Sequence, residues 1–154
     1  MKHRPVTDMR KASGFTLVEL VTTMIVLAIL AVAILPRFAN RQSFDARGYY
    51  DQAKSAVEFA RKAAIAERRN VCVAIAAGTL TITRGVTFGA ACTVPLVNPT
   101  TGAAFSLPAP AGVALATTAA TFSFDALGGT PAAVTITVDG TRQIVVEAET
   151  GYVH

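Results

Sequence analysis

From Phe15 to Leu35 the chain reads FTLVELVTTMIVLAILAVAIL, 21 residues with a single charge, Glu19, and neither glycine nor proline. As a helix rising about 1.5 Å per residue, such a run is roughly 30 Å long, the thickness of a bilayer's hydrocarbon core. It predicts one membrane-spanning helix, since no second long apolar run follows. Ahead of it, Lys2, Arg4, Arg10 and Lys11 stand against Asp8 alone, so the first 14 residues hold three of the four net positive charges of the 154-residue chain. By the positive-inside rule these bases put the amino terminus in the cytoplasm and everything after Leu35 outside. The remainder is near neutral, with ten bases against nine acids, and lacks the dense basic patch of a nucleic-acid-binding fold. A content of 52% hydrophobic residues argues against disorder, and the length argues against a multidomain enzyme.

Two simpler readings of the apolar run leave something unexplained. Ala31-Val32-Ala33 offers a small-x-small site for secretory cleavage, but a signal core is usually 7 to 15 residues, carries no acid, and is not followed by helix-favouring sequence. A plain anchor accounts for the length but not for Glu19, because a carboxylate at mid-span costs about 2.5 to 3.5 kcal/mol. An ionisable group in such a segment is a functional hypothesis by default.

The segment Gly14-Phe15-Thr16-Leu17-Val18-Glu19-Leu20 resembles the class III signal of type IV pilins and type II secretion pseudopilins. The resemblance implies a prepilin peptidase that cuts after Gly14 and methylates the new terminal residue, Phe15. It extends to Pro36, where many of these proteins have a helix-kinking proline. It also implies that Glu19 pairs with the terminal amine of a neighbouring subunit as helices pack into a filament core, an assembly role. The implied partners are other pilin or pseudopilin subunits, an inner-membrane assembly platform and the lipid bilayer. The implied location is the inner membrane, single-pass with a periplasmic carboxy-terminal domain, and then the pilus or pseudopilus.

Beyond Pro36 the sequence predicts a helix over 43–68. Ala53, Ala56, Val57, Ala60, Ala63 and Ala64 form its apolar stripe, and Asp51, Lys54, Glu58, Arg61 and Lys62 lie opposite. Gly48 is a place for it to bend. The base-dense spots Arg61-Lys62 and Arg68-Arg69 read as solvated helix cations. From Val71 the pattern turns to short β-rich runs at 71–76, 79–84, 113–116, 120–124, 133–138 and 142–147, with hairpin turns at Ala76-Ala77-Gly78 and Asp139-Gly140. Residues 85–112 read as a long irregular loop with partial strands. The expected fold class is α+β: a long amino-terminal helix packed on a small antiparallel sheet. The expected segments are a basic leader at 1–14, a membrane or filament-core helix at 15–35, its amphipathic continuation at 36–69, and a β-rich globule at 70–154.

The run Ala60-Arg61-Lys62-Ala63-Ala64-Ile65 before Val71-Cys72-Val73, and Phe124-Asp125-Ala126-Leu127-Gly128-Gly129 before the last strands, resemble minor pilins of the GspH/FimT type. Both cysteines lie in the first half of the globule, unlike the disulfide-bounded loop near the carboxyl end of many major pilins. Cys72 and Cys92, 20 residues apart, would face an oxidising compartment, which favours a disulfide; two unconnected thiols are the alternative. Two cysteines without a nearby histidine fall short of a metal site, as His3 lies in the leader and His154 is the last residue. No cofactor is expected.

No phosphate-binding loop, zinc helix motif or nucleophile elbow is present. Asp125, Asp139, Glu147 and Glu149 are spaced as turn or solvated residues, so the chain reads as a non-enzyme. The leading expectation is a minor pilin or pseudopilin, a structural subunit. The alternatives are a FimT-like DNA-binding minor pilin and a tip or adhesin subunit. For the DNA reading Arg142 is the only base after Arg84 and the tail is acidic, which leaves phosphate contacts little to work with and argues against DNA as a partner.

Overall fold

The computed structural model describes residues 15–39 and 41–154, the side chains of 32–39 excepted, so the leader and Gly14 lie outside the described residues. The chain divides into two compact units, 1–40 and 41–154. In the first, α1 runs from Leu17–Ala39. Among the described residues no helix is long and apolar enough to cross a membrane.

The second unit opens with α2, Arg41–Glu67. It starts two residues before the sequence expectation and stops one residue before it. The stop is a Schellman motif: Arg68 turns left-handed at φ 52°, and Arg69 N–H donates to the Ala64 carbonyl at 3.3 Å. No glycine announces it. Ala46, Tyr49, Ala53, Ala56, Val57, Ala60 and Ala64 make the buried face, spaced by three and four as an amphipathic helix requires. Ala63 sits half-buried at the edge of that stripe. The helix passes through Gly48 without interruption.

The strands form two antiparallel sheets, where the sequence suggested one. In the larger, β1 (Val71–Ala76) lies between β2 (Thr79–Gly85) and β6 (Thr121–Phe124); β3 (Cys92–Pro95) and β4 (Ser106–Pro108) both line the far edge of β2. The smaller sheet has β7 (Val134–Val138) between β5 (Leu115–Thr117) and β8 (Arg142–Val146). Residues 85–112 thus supply two strands. β4 pairs with the start of β2 (Thr79↔Pro108) and β3 with its end (Thr83↔Pro95), each too short and too closely bounded by proline to show a period.

Alternation sends Val71, Val73, Leu80, Ile82 and Phe124 from the larger sheet, and Ile136, Val138, Ile144 and Val146 from the smaller, into one core with the α2 face. The two hairpins close on left-handed pairs, Ala77 (φ 47°) with Gly78 (φ 71°) and Asp139 (φ 53°) with Gly140 (φ 67°), the geometry that matches strand twist. Small residues along α2 let the helix lie close on both sheets.

Candidate assembly site

Phe15 and Thr16 precede the first turn of α1. The Thr16 hydroxyl accepts the Glu19 backbone N–H at 3.2 Å, and the Thr16 carbonyl accepts Leu20 N–H at 3.2 Å. Thr16 is therefore the N-cap and Glu19 the third helical residue, the positions of a capping box. The sequence reading missed this cap, although the spacing T-x-x-E before an apolar run carries it. A carboxylate in the first turn also faces the positive end of the helix dipole.

Farther along, the Thr22 hydroxyl lies 2.9 Å from the Val18 carbonyl and 3.0 Å from that of Glu19, and the Thr23 hydroxyl donates to Leu20 at 2.9 Å. Both threonines so satisfy their hydroxyl hydrogens within the helix, which suits them to surroundings without water. The apolar side chains from Phe15 to Leu30 are exposed on every side of the helix, Phe15 to 79%. Exposed apolar surface of this extent is a feature of interaction sites. Pro36 falls within the span of α1, its side chain among those outside the described set.

In the globule, Cys72 and Cys92 are bonded to each other, their Cα atoms 6.0 Å apart. The bond joins β1 to β3 where β2 ends at Gly85. A Cβ at Gly85 would come within 2.7 Å of the Ala90 carbonyl oxygen, so glycine is what lets the 86–91 loop fold back there.

Arg61 is not the solvated cation its neighbourhood in the sequence suggested. Its Nε lies 3.3 Å from the Gly128 carbonyl and 3.2 Å from that of Thr150, tying α2 to two separate loops. Asp125 organises the first of these: its Oδ1 accepts the N–H groups of Leu127 and Gly129, both at 2.9 Å. Gly129 and Gly151 allow the loops to touch, since a Cβ would fall 2.3 Å from the Glu149 oxygen and 2.0 Å from the Gly128 oxygen respectively.

The other acids are dispersed. Asp139 is in its turn, Glu147 pairs with His154 Nε2 at 2.9 Å, and Glu67 pairs with Arg84. Arg142, half-buried, opens β8 opposite Val138. Among the described residues no group of three or more histidines, cysteines or acids is placed to hold a metal ion. The structure brings together Cys72 and Cys92, and it sets Glu19 in the capped first turn beside Phe15.

Residues 9–35 match the family described as the prokaryotic N-terminal methylation motif. No curated protein matches the chain. The fold is similar to the type IV minor pilin FimU of Pseudomonas aeruginosa in two crystal forms. Identity is 16% in both, with TM-scores of 0.52 and 0.56, covering 70% and 76% of this chain and 90% of that one. It is also similar to the minor pseudopilin EpsH of the type 2 secretion system of Vibrio cholerae, at 11% identity and TM-score 0.56, covering 71% of this chain and 94% of that one. The comparisons thus give the chain an amino-terminal methylation motif over residues 9–35 and, beyond it, a fold similar to that of these two minor subunits.

Proposed function

We propose that this protein is a minor pilin or pseudopilin: a structural subunit cut after Gly14 by a prepilin peptidase, methylated at Phe15, held in the inner membrane by residues 15–35, and then joined to a pilus or secretion pseudopilus. The carrying observation is the methylation motif over residues 9–35 overlapping a helix whose apolar side chains from Leu17 to Leu30 are exposed. Cleavage would free a cationic amine just ahead of the capped turn that holds Glu19. In the monomer a cation at that end opposes the helix dipole. Within a helix bundle, the Glu19 carboxylate of a neighbour neutralises it, and a bundle with only one of these two charges would leave it uncompensated. Glu19 then sets the axial register of packing.

The test is expression of the full chain with and without prepilin peptidase, reading the mass and terminal residue of the membrane-bound product. A methylated Phe15 terminus, lost in Gly14→Leu, is the expected result. An uncut chain in the presence of active peptidase overturns the proposal.

A further inference from the structure

The main-chain hydrogen bonds of the larger sheet leave one side of β6 open. Ile75 N–H donates to the Ala120 carbonyl at 2.8 Å, and the register continues as Ala74↔Thr121, Val73↔Phe122, Cys72↔Ser123 and Val71↔Phe124. In an antiparallel ladder hydrogen-bonded and non-bonded pairs alternate. Ala120, Phe122 and Phe124 therefore turn their N–H and C=O groups toward β1, and Thr121 and Ser123 turn theirs away. No strand of the described residues pairs with that second side.

Of the other edges, those of β3, β4 and β8 are blunted, while β5, three residues long, is left open as β6 is. β3 ends in Pro95 and β4 in Pro108, while β8 is covered by the tail, where Val145 and His154 exchange both main-chain bonds at 2.9 and 3.0 Å. β6 reads Thr-Phe-Ser-Phe, with neither proline nor charge, two of the devices by which natural edges usually avoid pairing. Alongside it runs an open cleft of about 380 Å³ between the two sheets, lined by Ala119, Phe122, Pro131, Ala133 and Val134 among others, with no charged residue in its wall.

We infer that β6 accepts an extended, uncharged peptide strand, which pairs with the outward main-chain groups of Thr121 and Ser123 and lays alternate small apolar side chains in the cleft. Backbone pairing supplies the attraction, and the uncharged wall selects against charged side chains. The inference is independent of amino-terminal maturation.

The geometry supplies its own control. Because the Ser123 N–H points away from β1, proline at 123 removes an outward donor without removing a bond of the native ladder. The experiment uses the full chain in dodecyl maltoside micelles and a fluorescein-labelled hexapeptide of alternating threonine and valine, read by fluorescence anisotropy. Binding is expected to weaken about tenfold or more in Ser123→Pro, and likewise for the same peptide N-methylated at every amide, which has no donor to offer. The N-methylated peptide needs no protein variant, so the result does not depend on how well Ser123→Pro folds. Equal binding of both peptides to the native chain overturns the inference, as does absence of binding by the parent peptide up to about 1 mM.

Discussion

Arg61 on α2 donates to the carbonyl of Thr150, 3.2 Å away in the turn before the carboxyl end. Its second acceptor, Gly128, belongs to the loop after β6, so one side chain closes the helix against two segments distant in sequence. Hydrogen bonds from a charged donor contribute about 1.5 to 3 kcal/mol, toward the lower end when half-exposed. Arg61→Ala should lower the stability of the globule by about 1 to 2 kcal/mol, read as a fall of roughly 3 to 8 °C in the thermal transition. Arg61→Lys should recover only part of it, because an ammonium does not reproduce the planar donor geometry of the guanidinium.

Two glycine substitutions should have opposite signs. Gly151 has φ 58° and no room for a Cβ, which would sit 2.0 Å from the Gly128 oxygen; alanine there must displace backbone. A loss of about 3 kcal/mol or more is expected in chemical denaturation. Gly48 lies within α2 with nothing within 4 Å of a built Cβ. Alanine there should stabilise by about 0.5 to 1 kcal/mol, because glycine loses more backbone freedom when a helix forms.

The Cys72–Cys92 bond closes a loop of 20 residues in sequence separation. In the chain-entropy treatment a loop of that size stabilises by about 3 kcal/mol. Cys72→Ser with Cys92→Ser should cost about that much in denaturant unfolding, and should open the 86–91 segment to proteolysis before the rest of the globule.

What could be read from the sequence was what is local. The alanine-rich face of α2 and the left-handed turns at Ala77-Gly78 and Asp139-Gly140 depend on residues within a few positions of one another, and periodicity or turn chemistry carries them. β3 and β4 have no such signal: three or four residues each, they are strands because the edge of β2 offers them partners. The division into two sheets rests on which strand passes beside which, and Arg61 acts through carbonyls 67 and 89 positions away. The end of α2 was read to within one residue, but its form was not, since Arg68 adopts a conformation that sequence reasoning assigns to glycine. At the amino terminus the motif was plain in the sequence, and the Thr16 cap was there to be found with it.

Tyr49 is buried against the sheets, and its hydroxyl donates to the Leu107 carbonyl at 3.2 Å. Burial pushes the phenol pKa above its ordinary 10.0. Above about pH 10 the unfolded chain sheds this proton before the folded one does, so the contribution is complete below that pH and is lost as pH rises through the folded value. Tyr49→Phe should cost about 1 kcal/mol at neutral pH. The difference between native and variant stability should then shrink above pH 10, as measured by denaturant titration across pH 8 to about 11.

Glu19 distinguishes an anchor from an assembling helix. Its backbone N–H completes the Thr16 cap, and Glu19→Gln keeps that bond and nearly the same side-chain volume while removing the charge. Processing at Gly14 and retention in the membrane should therefore be unchanged, since neither needs a carboxylate at this place. Incorporation into a filament with partner subunits should fall by more than a hundredfold, because each assembled copy would leave a terminal cation buried without its counter-charge, a cost of about 3 to 5 kcal/mol. The comparison is quantitative immunoblotting of sheared filaments against membranes from the same cells. Equal incorporation of the glutamine variant would show that packing of the apolar surface alone sets the register.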